Sequence, residues 1–185
     1  MSFKLILASR SPRRIALLNA AGLKFVVRSA DIDETPPAGM TVKKVPQYLA
    51  KKKADAIKQS NNELIIAADT LVILNNIILG KPADKKDAEK MLRMLSRKMH
   101  TVITGVCIKS IKKEIAFSEQ TNVFFKKLTD ADISYYIKKY KPFDKAGSYA
   151  IQEWIGLTGI YKIEGDYFNV MGLPVSRVIE ELKKF

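Results

Sequence analysis

Apolar residues in this chain follow two alternating rhythms. Leu5 to Ala8 and Leu64 to Ala68 are unbroken runs, the mark of strands buried on both faces. Ile15, Leu17, Leu18 and Ala21, and later Ala88, Met91, Leu92 and Leu95, instead recur at helical spacing. Phe25 to Ala30 reads as a strand that runs into Asp31, Asp33 and Glu34 before the Pro36-Pro37 break. A helix is predicted over about Val45 to Lys58, with Pro46 acceptable only in its first turn. Leu71 to Leu74 and Ile77 to Leu79 form hairpin arms across Asn75-Asn76, because asparagine tolerates the positive φ of such turns. His100 to Ile108 and Glu114 to Phe125 predict an antiparallel pair turned at Ile111 to Lys113, and Ala131 to Tyr140 a helix. The tail predicts strands at Tyr161 to Ile163 and Tyr167 to Val170, then a helix from Pro174. Strands alternating with helices give an α/β body. No repeat, low-complexity run or linker divides it, so 1–185 reads as one domain, with two lobes around a central cleft left open as its internal arrangement.

Composition narrows the partners. The 185 residues carry 32 Lys and Arg against 19 Asp and Glu, a formal charge of +13, which attracts anions such as nucleotides, nucleic acid or acidic membranes before any contact is specific. The single cysteine, Cys107, lies in the apolar stretch VITGVCI and suits a core role in a reducing compartment. No apolar stretch approaches the length of a spanning helix and the N-terminus shows no signal-like segment, so no membrane partner and a cytoplasmic location are expected.

Candidate chemistry starts at LILASRSPRR, residues 5 to 14. Ser11 is a suitable N-cap and Pro12 a suitable first helical residue, so strand, polar loop and helix N-terminus follow in quick succession. Unpaired N–H groups and the positive helix end then point at one place, where Ser9, Arg10, Ser11, Arg13 and Arg14 crowd. This junction is suited to an anion; a solvated basic turn is the structural alternative.

Three further features carry chemical meaning. Ser9 and Asp69 each end a continuous apolar strand, and ligands of open α/β sheets sit outside the carboxyl ends of strands. Asp69 is the best candidate for chemistry, with a strand-end cap as its alternative, and Thr70 offers a neighbouring hydroxyl. On the second helix Leu49, Ala56 and Ile57 share a face and Lys51, Asp55 and Lys58 oppose it, yet Lys53 lands among the apolar residues. Such a lysine must snorkel out or find an anion. Lys81, in Gly80-Lys81-Pro82, resembles the end of a P-loop but lacks its first glycine and its Ser or Thr, so it is no Walker motif. Third, Asp31, Asp33 and Glu34 offer oxygen ligands for a hard divalent cation, or an ordinary acidic loop. A single histidine, His100, in a strand-like segment, and the absence of CxxC, HExxH or GxGxxG argue against zinc sites and Ser-His-Asp triads.

LASRSPRR, DIDE, LAKKKA, AADT with its hairpin and GKP, HTVITGV and DKAGSYAIQ, in this order over residues 5 to about 174, resemble the Maf family of nucleoside triphosphate pyrophosphatases. DKAGSYAIQ resembles the branch acting on dTTP and UTP rather than the one acting on 7-methyl-GTP. The resemblance implies a mixed twisted sheet with flanking helices and a cleft, of the Maf/ITPase-like kind. It implies divalent-metal-dependent (Mg²⁺ or Mn²⁺) cleavage of the α-β phosphoanhydride, with Asp69 as general base. Ser9, Arg13, Lys53 and Lys81 would hold the triphosphate, with Arg14 also among the substrate ligands. Glu34 and Asp69 would place the metal, and Arg13, Thr70 and Gln152 would set base preference. The partner is then a nucleoside triphosphate rather than nucleic acid, and the family tends towards homodimers. The chain departs from the family's pattern at Pro46, and at Ala150 and Glu153, where glycines usually flank Ile-Gln. If those positions require positive φ, the loop must be reshaped or strained.

The rival reading is a basic nucleic-acid-binding module without turnover, motivated by the charge and by stretches such as KYKPFDK. Against it, the basic residues are spread along the chain and no RNP-like or helix-turn-helix signature occurs.

Overall fold

A computed structural model describes residues 3–185. In chain order the elements are β1 (Lys4–Leu7), α1 (Pro12–Ala20), β2 (Phe25–Val27), α2 (Val45–Asp55), β3 (Glu63–Leu74), β4 (Ile77–Leu79), α3 (Lys85–Leu95), β5 (Met99–Lys109), β6 (Glu114–Phe125), α4 (Asp130–Tyr140), α5 (Trp154–Gly159), β7 (Ile160–Glu164), α6 (Tyr167–Met171) and α7 (Val175–Leu182). The strands join in the order β2-β1-β3-β5-β6-β7, with β4 paired to β3. β1 runs parallel to β2 and β3, whereas β3–β4 and β6–β7 are antiparallel, which makes the sheet mixed as expected. The chain divides into two compact units, the first comprising residues through Thr70, Thr104–Glu119 and Gly172–Phe185, the second Leu71–Ile103 and Gln120–Met171.

In the first unit, β1 and β3 are apolar throughout because both faces are covered. Ala50 and Ala54 of α2, with Ile57 just beyond its end, pack on one sheet face against Ile6, Ala8, Ile65, Ala67 and Cys107. Ala56, expected on that face, is exposed, and the buried stripe runs through Val45, Pro46, Leu49, Ala50 and Ala54 instead. Pro46 stands in the first turn of α2, where its missing N–H costs nothing. The approach of helix to sheet is tight: a Cβ on Gly105 of β5 would lie 2.2 Å from the backbone of Pro46 and Gln47. Cys107 is buried, and burial pushes its thiol up to about 12. At the start of β3, Glu63 accepts a two-pronged pair from Arg28, at 2.7 and 2.9 Å, and that guanidinium holds its carboxyl down at about 2.

In the second unit, β3 and β4 pair with Val72 opposite Leu79 and Leu74 opposite Ile77, and the turn between them has φ of 50° at Asn75 and 65° at Asn76. α3 and α4 enclose a core of Leu92, Leu95, Phe125, Ile133, Tyr136 and Ile137. Thr129 and Asp132 form a reciprocal capping box at the start of α4. His100 is a core residue: its Nε2 lies 2.7 Å from the Tyr149 hydroxyl, its ring packs on Phe125, and burial lowers it to about 3.

Several boundaries differ from the sequence reading, each for a local reason. β2 stops at Val27 rather than Ala30, because β1, its one partner, has reached Leu7 there. Tyr167 to Val170 is helical, not a strand. The Asp166 carboxylate accepts the Phe168 N–H at 2.7 Å and starts a helix, and Asn169 turns into the core to donate to Val102 O and Thr121 Oγ1. The segments read separately as Glu63 to Ala68 and Leu71 to Leu74 are one strand, β3, so Asp69 lies within a strand and does not close it.

Two expectations follow. Gly105→Ala pushes α2 off the sheet and lowers stability by about 1–3 kcal/mol, read in denaturant melts. His100 is neutral when folded and takes up a proton near its ordinary value of 6.5 when unfolded. The unfolded chain therefore binds more protons, and stability falls as pH drops below about 6.5. Glu63 adds to the loss below its ordinary 4.5. Thermal melts between about pH 6.5 and 4.5 should show a flatter profile for His100→Gln than for the parent.

Candidate active site

The first unit gathers its polar groups where β1 stops and β3 continues. Leu7 pairs with Ile66 in the parallel register, and the Ala8 N–H still reaches Ile66 O at 2.8 Å. β3 then runs on, so Asp69 and Thr70 project past the carboxyl end of β1 while Ser9 turns into the loop before α1. The strand whose carboxyl end lies here is β1, and β3 continues past it in mid-strand.

Successive residues of a strand face opposite ways, so Asp69 and Thr70 address different helices. Thr70 faces α1. There the Arg14 guanidinium donates through Nη2 to Thr70 Oγ1 at 3.1 Å, through Nη1 to Ser9 Oγ at 3.1 Å and through Nε to Gly172 O at 2.8 Å. Thr70 Oγ1 also lies 2.9 Å from Thr104 Oγ1. Ser9 Oγ accepts a second hydrogen bond, from the Ser11 N–H at 3.2 Å. Ser11 is the N-cap by backbone geometry and Pro12 opens the helix, as expected, but no side chain caps α1. Arg14 is 9% exposed, and burial pulls its guanidinium below its ordinary value. The nearby Asp69 opposes that shift, Arg13 adds to it and Glu34 opposes it.

Asp69 faces α2. It continues the row Ile65, Ala67 on which Ala50, Ala54 and Ile57 pack, and Lys53 extends from that helix to meet it. Lys53 Nζ lies 2.6 Å from Asp69 Oδ1 and 2.8 Å from Glu34 Oε1. The inward lysine has thus found its anions within the protein. Asp33 serves its own loop, accepting the Thr35 N–H at 2.9 Å and lying 3.8 Å from Lys52 Nζ. The acidic segment follows an irregular stretch rather than a strand end. Glu34 and Asp69 are the carboxylates that share the lysine, and no group of three or more metal-ligating side chains occurs among the described residues.

Ser9, Arg14 and Thr70 therefore form one hydrogen-bonded group, and Glu34, Lys53 and Asp69 an ion-paired one beside it. Lys81 and Gln152 belong to the second unit, and both are exposed. Gly80, next to Lys81, accepts the Gly147 N–H at 3.0 Å, which ties the Lys81 loop to the start of the segment bearing Gln152. The strain considered for Ala150 and Glu153 is absent, since Glu153 has φ of −94° and positive φ falls at Gly147 and Ser148.

Sequence reasoning placed Arg14 among the groups offered outward and missed Thr104 and Gly172 as its surroundings. A signal existed: Arg14, Leu17 and Leu18 stand at i, i+3 and i+4, so Arg14 shares the buried face of α1 as Lys53 shares that of α2.

The mixed sheet, the Ser9–Arg14–Thr70 group at the opening of α1 and the ion-paired Asp69 beside it define an α/β protein with polar and charged side chains gathered past the carboxyl end of β1. Residues 4–185 match the family described as Maf-like protein, and the chain belongs to that family. It is similar to a dTTP/UTP pyrophosphatase of Phocaeicola vulgatus, 50% identical over 98% of this chain and 96% of the relative. Proteins of the same name from Cytophaga hutchinsonii (50% identical, 97% of this chain and 83% of the relative) and Parabacteroides distasonis (48%, 99% and 96%) are similar throughout. Among the described residues no helix is long and apolar enough to cross a membrane.

Arg14→Lys keeps the charge but cannot reproduce a fork that reaches three acceptors. We expect it to lower stability by roughly 2–4 kcal/mol in denaturant melts, whereas a guanidinium merely offered to solvent would tolerate the change.

Proposed function

We propose that this protein hydrolyses the α-β phosphoanhydride of dTTP and UTP, releasing the nucleoside monophosphate and pyrophosphate. The observation that carries the reading is the Asp69 carboxylate, held at 2.6 Å by Lys53 beside the Ser9–Arg14–Thr70 group at the opening of α1. Water attacks the α-phosphorus, the anhydride oxygen leaves with pyrophosphate, and Asp69 accepts the proton of the attacking water. This chemistry needs neutralised phosphates and a placed nucleophile, with no covalent intermediate on the protein.

Ser9 accepts two hydrogen bonds, from Ser11 N–H and Arg14, and its own O–H hydrogen is left for a phosphate oxygen. Arg13, Lys53 and Lys81 supply positive charge to the triphosphate. Arg14 acts through the Ser9 and Thr70 hydroxyls it orients, since its fork is turned inward. Thr70, Arg13 and Gln152 set the base preference, the Gln152 amide both donating and accepting as the uracil or thymine edge requires. Glu34 and Asp69 converge on one ammonium, so two carboxylates already surround a cation. Those two carboxylates would hold a hard divalent ion such as Mg²⁺ or Mn²⁺, which favours oxygen ligands. When bound, the ion neutralises phosphate charge.

Two of the chain's lysines are engaged with carboxylates: Lys51 pairs with Glu114 at 2.7 Å, and Lys109 pairs with Asp55 and, at 3.6 Å, with Glu114.

Pyrophosphate release from a panel of nucleoside triphosphates with Mg²⁺ or Mn²⁺ tests the reading. UTP and dTTP should be preferred, and Asp69→Asn should lower turnover by about 10²–10⁴-fold while nucleotide binding persists. Equal rates on purines and pyrimidines contradict the role of Gln152. Absence of turnover on every nucleotide, with salt-sensitive oligonucleotide binding, overturns the enzyme reading.

A further inference from the structure

Gln152 stands in a turn that the second unit holds with unusual firmness. The Glu153 N–H donates to Ala150 O at 3.1 Å and closes residues 150 to 153, with Ile151 buried and Gln152 exposed between the ends. Both ends meet a single hydroxyl. Tyr136 of α4, wholly buried, accepts the Ala150 N–H at 3.1 Å and donates its own hydrogen to Glu153 Oε2. Burial, reinforced by Glu153, raises the tyrosine well above its ordinary value, so it stays a donor. The other carboxylate oxygen lies 3.5 Å from the buried Lys145, which also pairs with Asp144 at 2.8 Å.

The far side of the turn is equally confined. A Cβ on Gly156 would lie 1.7 Å from Ile151 O, so the α5 backbone rests directly on the turn. Glu153 O accepts the Gly156 N–H at 2.9 Å and so begins α5. One residue upstream of the turn, Tyr149 is fixed by His100 and Phe125. Within the turn Ala150 and Ile151 are buried and the Glu153 carboxylate bonds to Tyr136, whereas Gln152 is exposed.

We propose that Tyr136 and Glu153 are positioning residues that latch the Ala150–Glu153 turn, present the Gln152 amide in one orientation and thereby set discrimination among nucleobases. This rests on the reading that Gln152 contacts the base. The reason is entropic: a side chain on a pre-set turn does not lose backbone freedom when it meets a ligand, whereas one on a loose loop does. The Glu153 carboxylate is an acceptor that reaches the tyrosine, so a side chain supplies rigidity to the turn.

The experiment compares kcat and KM for UTP, dTTP, CTP and GTP in the full-length protein and in Tyr136→Phe, Glu153→Ala, Glu153→Gln, Gln152→Ala and the double variant Tyr136→Phe/Gln152→Ala. Tyr136→Phe and Glu153→Ala should raise KM for UTP and dTTP roughly 10-fold, leave kcat within about 2-fold and erode the preference over GTP. Glu153→Gln, whose amide oxygen still accepts from the tyrosine, should retain most of the preference. The double variant should be no worse than Gln152→Ala alone, because the latch acts through that side chain. If Gln152→Ala erodes the preference while Tyr136→Phe and Glu153→Ala keep it, the latch is overturned and the role of Gln152 stands. If Gln152→Ala leaves the preference intact, the base-contact reading fails and the latch with it. A uniform fall in kcat on all four nucleotides overturns the latch in favour of a general structural role. Thermal melts accompany each variant, and should Tyr136→Phe not fold, Glu153→Ala, which removes only a half-buried carboxylate, decides the matter.

Discussion

A buried guanidinium with nowhere to go but inward constrains the first unit. Arg14 cannot stay in the sheet-facing side of α1 unless its donors are met, because an unpaired charge there costs several kcal/mol. Its three acceptors come from the loop after β1, from mid-β3 and from the backbone at Gly172, segments far apart in sequence. Satisfying one side chain therefore fixes where α1 begins, how far β3 extends past β1 and where the C-terminal segment returns. The polar groups proposed for chemistry are by-products of that requirement: Ser9 and Thr70 are oriented because Arg14 needs them.

Lys53 solves the same problem on the opposite sheet face with a different side chain. A lysine offers a compact point charge on a flexible stem, so it gathers two carboxylates from any direction, where arginine demands a planar set of acceptors. The division suits the two roles. The arginine frames hydroxyls in fixed directions, and the lysine balances the two carboxylates of Glu34 and Asp69.

Much of this was legible in the chain. The unbroken runs Leu5 to Ala8 and Leu64 to Ala68 marked strands covered on both faces, and Ser11-Pro12 marked the start of α1, because both signals are local. Lys53 was legible as misplaced polarity on an apolar face. What stayed hidden depended on distant partners. Asp69 looked like a strand end because polarity interrupts the run, but β3 changes partners there, from parallel β1 to antiparallel β4, and no local signal records such a change. Tyr167 to Val170 has strand-forming side chains, and the Asp166 cap together with the buried amide of Asn169 overrides them. Glycines expected around Ile-Gln drew attention to Ala150 and Glu153 for strain, whereas the positive φ values fall at Gly147 and Ser148 and Glu153 makes bonds instead.

The lone cysteine completes the picture from the side of redox chemistry. Nucleophilic attack on peroxides, alkylating reagents or disulfides requires the thiolate. With its thiol held near 12 beneath α2, Cys107 has almost no thiolate at neutral pH. The helix that delivers Lys53 therefore also shields the one oxidisable thiol, and the proposed hydrolysis draws on no sulfur that an oxidant could disable.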